Sequence, residues 1–255
     1  MSLDLLSRMR NRPSGPSAFG LACGAHVAVE QGVAWHDPAG AGLSKLVLRE
    51  RLAQRWGVRG ATEWQRMMDG LLAERGEKPN DLALELRWQA TVVRTVPPDL
   101  AGWRRIVRQA AEYGELSWHG VPMLLAAAER ISGYEDRFRA DGLLSPHGVV
   151  HGARAYDWGR AVNLARCGLR AGYCDRAAAE EAVLRAGELC ARHYMSWADL
   201  SAAYVLGRLL ADPSRYDALR EAHRGLLTEA DSPWRTLPWP VHQPESRGFQ
   251  QVARR

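Results

Sequence analysis

Two arginines, an acid, two phenols, a serine and an indole make the one constellation in this chain that could do chemistry. They are Tyr156, Asp157, Arg160, Ser196, Trp197, Tyr204 and Arg208. A guanidinium presents a planar fork to carboxylate or phosphate, so such a group between helices could hold a small anion. The competing reading is a satisfied ion-pair and hydrogen-bond network that fixes helix register. It is the first of the two, because Asp157 and Arg160 stand three apart and can satisfy each other. Ser196 is also explained as a helix cap with Asp199 three residues on.

The elements that must position these groups read as helices. In 154–169, Ala155, Trp158, Val162, Ala165 and Leu169 recur at three- and four-residue steps. In the segment opened by Ser196, apolar residues run nearly all round, which marks a buried central helix. At about 100° per residue Trp197, Ser201, Tyr204 and Arg208 share one stripe. A buried guanidinium stripped of its partner costs about 3–5 kcal/mol, so Arg208 must meet an acid. Asp157 is the expected one. Between these two helices Asp175 caps another that runs to Tyr194, with His193 on its apolar face as a core residue.

Upstream, helices are expected over 17–31, over 44–56 with Gly57 as the stop, and from Thr62, where Thr62 and Gln65 have capping-box spacing. A break falls at 38–42. Residues 80–93 alternate like a strand but are built of helix formers with no second strand to pair, so a helix is expected. Asp99 caps the next one, which turns Arg104, Arg105 and Arg108 to solvent. Residues 132–152 mix charge, Gly and Pro and read as a linker or crossover holding His147 and His151 in a solvated loop. A last helix is expected over 216–227. The fold class is therefore all-α, a bundle-like globule of roughly eight to ten helices with a Trp-rich core. One helical domain over 17–240 follows, with lobes 17–131 and 153–240, a leader 1–16 and a tail 241–255.

Ten tryptophans in 255 residues supply packing anchors, each with one N–H that needs a partner. With 46% hydrophobic residues the chain can bury a full core without staples. No run has the length of a membrane span, and a cytoplasmic location is expected. Cys23, Cys167, Cys174 and Cys190 are too irregular for a disulfide framework or a zinc site and read as buried thiols, so no metal or cofactor is expected. The net charge of +5 is carried almost wholly by arginines dispersed among 29 acids, with Lys45 and Lys78 the only lysines. With only a short basic stripe, Arg104, Arg105 and Arg108, nucleic acid is not an expected partner. Eight histidines are scattered outside any catalytic frame. His36, between Trp35 and Asp37, sits in a loop that a turn explains as well as reactivity.

The run Tyr156, Asp157, Arg160, then Gly172-Tyr173, Ser196-Trp197, and Tyr204-x-x-Gly207-Arg208 resembles a bacterial family catalogued as a domain of unknown function, one that includes YbeU and YbeR. Trp56-Gly57-Val58 and the closing Ser232-Pro233-Trp234 with Leu237-Pro238-Trp239 are similar to its outer elements. The similarity spans about 42–239. Trp158 stands where the family more often has Leu, which enlarges a core contact. The resemblance implies a mainly helical fold and carries no activity. A non-catalytic protein-interaction or regulatory module is the expected role. A binder of a small anionic ligand, or an enzyme built on the Tyr/Asp/Arg cluster, is the alternative.

Overall fold

The structure is a computed structural model that describes residues 14–36, 43–74, 76 and 78–240. The expected break at 38–42 and the tail lie outside these residues, as does most of the leader. Among the described residues there are no strands. Eleven helices of seven residues or more are present: α1 Gly15–Cys23, α2 Ala25–Gln31, α3 Lys45–Trp56, α4 Ala61–Leu71, α5 Pro79–Arg94, α6 Leu100–Glu112, α7 Val121–Ala140, α8 Ala155–Ala171, α9 Arg176–His193, α10 Trp197–Ala211 and α11 Tyr216–Thr228. A single turn, α12 Pro233–Thr236, is the last helical element among the described residues. No helix here is long and apolar enough to cross a membrane.

Helix α8 is the hub: α1, α2, α3, α4, α9 and α10 all pack on it, while α5, α6 and α7 form a neighbouring layer. Close approach makes this possible. A Cβ on Gly20 of α1 would run into the Val183 carbonyl, and one on Gly187 of α9 would lie 3.0 Å from the Gly20 Cα. The indoles tie segments together through their N–H groups, as their burial demands. Trp64 donates to the Leu164 carbonyl, Trp103 to Ala83, Trp197 to Leu237 and Trp234 to Ala22, at 2.8–3.1 Å.

The helical reading of 80–93 holds as α5. The caps at Asp99, Asp175 and Ser196 form, each side chain accepting the N–H three residues on. Gly57, at φ 66°, ends α3: its N–H donates to the Ala53 carbonyl and the Val58 N–H to the Leu52 carbonyl. Three expectations fail. The first helix breaks at Gly24 into α1 and α2. The Thr62–Gln65 box does not form, because α4 begins one residue earlier behind Gly60. Residues 132–140 are no linker: they are the second half of α7, and Phe138 is fully buried. The charge that disguised this helix is Glu135, buried against Arg87 of α5 in a two-pronged ion pair at 2.6 and 2.8 Å. The same pair holds the following loop, Arg87 donating to the Val150 carbonyl and Glu135 accepting the Val150 N–H.

Candidate functional site

Helices α8 and α10 meet as neighbours, and Tyr156, Asp157, Arg160, Tyr204 and Arg208 fall near one another at their contact. Ser196 and Trp197 do not join them. They sit at the far end of α10, where Ser196 caps the helix and Trp197 stacks on Trp234 (5.4 Å, 9°) and meets Trp239 edge-on (4.8 Å).

The expected Asp157–Arg208 pair is absent. Arg208 faces Glu30 of α2, at 3.5 Å, and Asp212, at 3.4 Å. The Tyr204 hydroxyl donates to the other oxygen of Glu30 at 2.6 Å. Tyr156 meets Tyr204 edge-on at 5.5 Å. Burial, reinforced by the Glu30 carboxylate, pushes the Tyr204 phenol well above its usual range. Around Arg208 burial opposes the charge, but the Tyr156, Glu30 and Asp212 oxygens outweigh it and hold the guanidinium more firmly protonated. In this half Arg208 and Tyr204 converge on one acid. Glu30 stands 178 residues from Arg208, and no local spacing could have announced it.

Asp157 is shared by two arginines of its own helix region, Arg154 at 2.7 Å and Arg160 at 3.2 Å. Arg154 also donates to the Ala73 carbonyl, anchoring α8 to the end of α4. The guanidinium of Arg160 lies over two rings, Trp56 at 4.5 Å and Tyr156 at 5.2 Å. Trp56 is the last residue of α3, and it lines two recesses. One, of about 400 Å³, is lined by Arg66, Lys78, Arg154 and Arg160 against Glu63 and Asp157. The other, of about 360 Å³, is lined by Arg51, Arg55, Arg166 and Asn163 against Glu30. Cations exceed acids in both, and Arg51, Arg55 and Arg66 form no ion pair among the described residues.

Residues 51–239 match the model of a protein family of unknown function, DUF1266. The chain belongs to the DUF1266 family. No curated protein and no solved structure matches it significantly. The DUF1266 segment contains Trp56 and the whole α8–α10 contact, whereas Glu30 and His26 come from the helices before it.

The DUF1266 segment also forms a cleft that sequence reasoning missed. Glu74, Asp81, Trp88, His151, Arg154, Trp158, Arg192, His193 and Tyr194 line a cavity of about 390 Å³. His193 is not a core residue: its ring is one-third exposed and lies 3.2 Å from Glu74, which Arg192 also meets at 3.3 Å. Burial works against the Glu74 charge, yet these two partners hold its carboxyl below the usual range. Asp81 is raised, by burial first, with Asp157 adding to it and Arg154 and Lys78 opposing. His151 stands edge-on to Trp88 at 5.1 Å.

A second unforeseen group lies in the core. Ser201 sits between His26 and His223, its Oγ 2.7 Å from His26 Nε2 and 2.7 Å from His223 Nδ1. His26 Nδ1 is buried with no hydrogen-bond partner. A bare nitrogen lone pair is cheaper to leave there than an N–H. The proton of His26 therefore sits on Nε2 and is donated to Ser201, whose own hydroxyl is donated to His223. Burial holds His26 well below its usual range and His223 down to about 4. Buried, this chain of hydrogen bonds knits α2, α10 and α11 together. The four cysteines are free; Cys23 and Cys190 are buried, and Cys167 and Cys174 partly so.

Proposed function

We propose that the chain is a non-catalytic regulatory module that binds a small anion across Trp56, in the paired recesses between α3, α4 and α8. The observation that supports this is the uncompensated charge. Arg51, Arg55 and Arg66 lack acidic partners, and Arg160 shares a single carboxylate while lying on the Trp56 ring. Recesses of this size fall within the range of small-molecule sites. Guanidinium forks suit carboxylate or phosphate oxygens, and the half-buried indole offers a face for a planar portion of the ligand.

Titration with inorganic pyrophosphate, followed by calorimetry and thermal shift, tests the proposal. Binding is expected to weaken as salt rises and to be lost in Arg51→Ala/Arg55→Ala. Arg160→Ala should reduce it without lowering Tm appreciably, whereas Arg208→Ala should lower Tm because Glu30 loses its cation. Failure of pyrophosphate, phosphate and citrate to bind at low salt would overturn the reading. A protein partner is the second reading, favoured by Tyr113, Trp118 and Met123, all more than half exposed around the turn from α6 to α7. Under that reading Trp118→Ser would abolish a self-association or complex that sedimentation detects in the unaltered chain.

A further inference from the structure

The cleft between α5, the end of α9 and the 151–154 segment holds a polar group that the fold itself leaves unused. Tyr194 is almost fully buried, and its hydroxyl oxygen accepts the Ala155 N–H at 3.0 Å. That N–H is one of the orphan donors at the start of α8, so the bond is structural. The hydroxyl's own proton meets no acceptor among the described residues. A buried donor in that state is a cost to the fold unless something fills the role. The hydroxyl lies beside Gly152, where a Cβ would sit 3.6 Å from it, and both residues line the cleft.

Several charges around the cavity are already matched. Glu74 is held by His193 and Arg192, and Arg154 by Asp157. What remains is the Tyr194 O–H as donor, the Asp81 carboxyl as acceptor, and the aromatic walls of Trp88, His151 and Trp158. The Asp81 carboxylate lies close against Gly76, where a Cβ would meet it. At about 30 Å³ per water, the cavity has the volume of about a dozen waters, enough for one small ring.

We propose that this cleft is a second ligand site, separate from the anion recesses, for a small uncharged planar amide of the lactam or nucleobase kind. Its carbonyl accepts from Tyr194, its N–H donates to Asp81, and its ring lies among the aromatic walls. An anion would meet Asp81 and Glu85, and a cation would meet Arg154 and Arg192, so neither is favoured over the neutral form.

Uracil is the probe, followed by saturation-transfer NMR and by thermal shift on the full chain. Binding is expected in the unaltered protein. Asp81→Asn replaces the charged acceptor by a weaker neutral one and should weaken it about tenfold, or about 1.4 kcal/mol. Tyr194→Phe should weaken it comparably, but that variant also strips the Ala155 N–H of its acceptor and so can lose stability. Gly152→Ala avoids this, because it places a methyl against the hydroxyl inside the cleft, and should weaken uracil with Tm retained. Absence of uracil binding, binding that Gly152→Ala leaves unchanged, displacement of uracil by pyrophosphate, or binding of glycine or benzamidine in preference to uracil would each overturn the proposal. Pyrophosphate binding in Asp81→Asn reports the anion recesses separately, so either site can fail alone.

Discussion

Acid should unfold this protein through two histidines that touch no solvent. His26 and His223 are buried neutral on either side of Ser201, with burial as the main cause and, at His223, the nearby Arg224 charge adding to it. The folded pKa of His223 is about 4 against about 6.5 for the free side chain. As pH falls through 6.5 the unfolded chain takes up a proton that the folded chain refuses. The stabilisation is therefore complete above that value and disappears as pH approaches 4. The gap is worth about 3 kcal/mol, and His26, depressed further, acts in the same direction. His223→Asn removes one titration while its side-chain oxygen can still accept the Ser201 proton. The variant should be less stable at pH 7.5 by about 1–3 kcal/mol, as for other buried substitutions. By pH 4.5 its deficit should shrink by about 2–3 kcal/mol, because only the unaltered chain carries the His223 penalty. Urea denaturation at stepped pH, read by tryptophan fluorescence, measures both curves, and Trp234 at 5.3 Å from the His26 ring is a local reporter. A deficit that stays constant from pH 7.5 to 4.5 would refute the reasoning.

Two further outcomes concern packing. Glu135→Ala strands the Arg87 guanidinium, which is buried over the Trp103 ring at 4.1 Å, and should cost about 3–5 kcal/mol in chemical denaturation; Arg87→Met/Glu135→Leu should recover most of it. Gly187→Ala pushes a methyl against the Gly20 Cα where α9 crosses α1 and should cost about 1–3 kcal/mol by the same measurement, with helix content by circular dichroism unchanged.

The chain displays its helix ends more openly than its charge pairing. Asp99, Asp175 and Ser196 act within three residues of themselves, so their caps are legible from spacing alone. The helix α10 is legible because burial on every side leaves an apolar run with only Ser201, Tyr204 and Arg208 to explain. Helix α7 was obscured for the opposite reason. Its seam of Leu124, Ala128, Ile131 and Phe138 admits Glu135, and a charge inside a seam reads as solvated loop until Arg87 is placed opposite. Likewise, Asp157 was the natural partner for Arg208 only on the assumption that the acid must come from a neighbouring stretch of sequence. Glu30 lies in the segment 17–31, from which only a helix is expected, and the fold carries it across to Arg208. His193 looked like core because it follows the apolar face of α9, yet α9 ends there and the last turn emerges at the cleft.

Two arginines beside one ring show how residue type alone misleads about role. Arg160 and Arg208 both approach Tyr156, at 5.2 and 5.9 Å. Arg208 faces two carboxylates and a phenol that is itself bonded to one of them, so its charge is fully answered from within. Arg160 shares one carboxylate with Arg154, so two cations divide a single negative charge, and the remainder faces a recess that also holds Arg66 and Lys78. Removing an answered charge leaves a buried partner without its cation and destabilises the fold. Removing an unanswered one relieves repulsion among like charges and leaves the fold intact. The constellation that looks uniform in sequence therefore divides at Tyr156: one half is held by Glu30, and the other carries the surplus charge on which the proposed anion site rests.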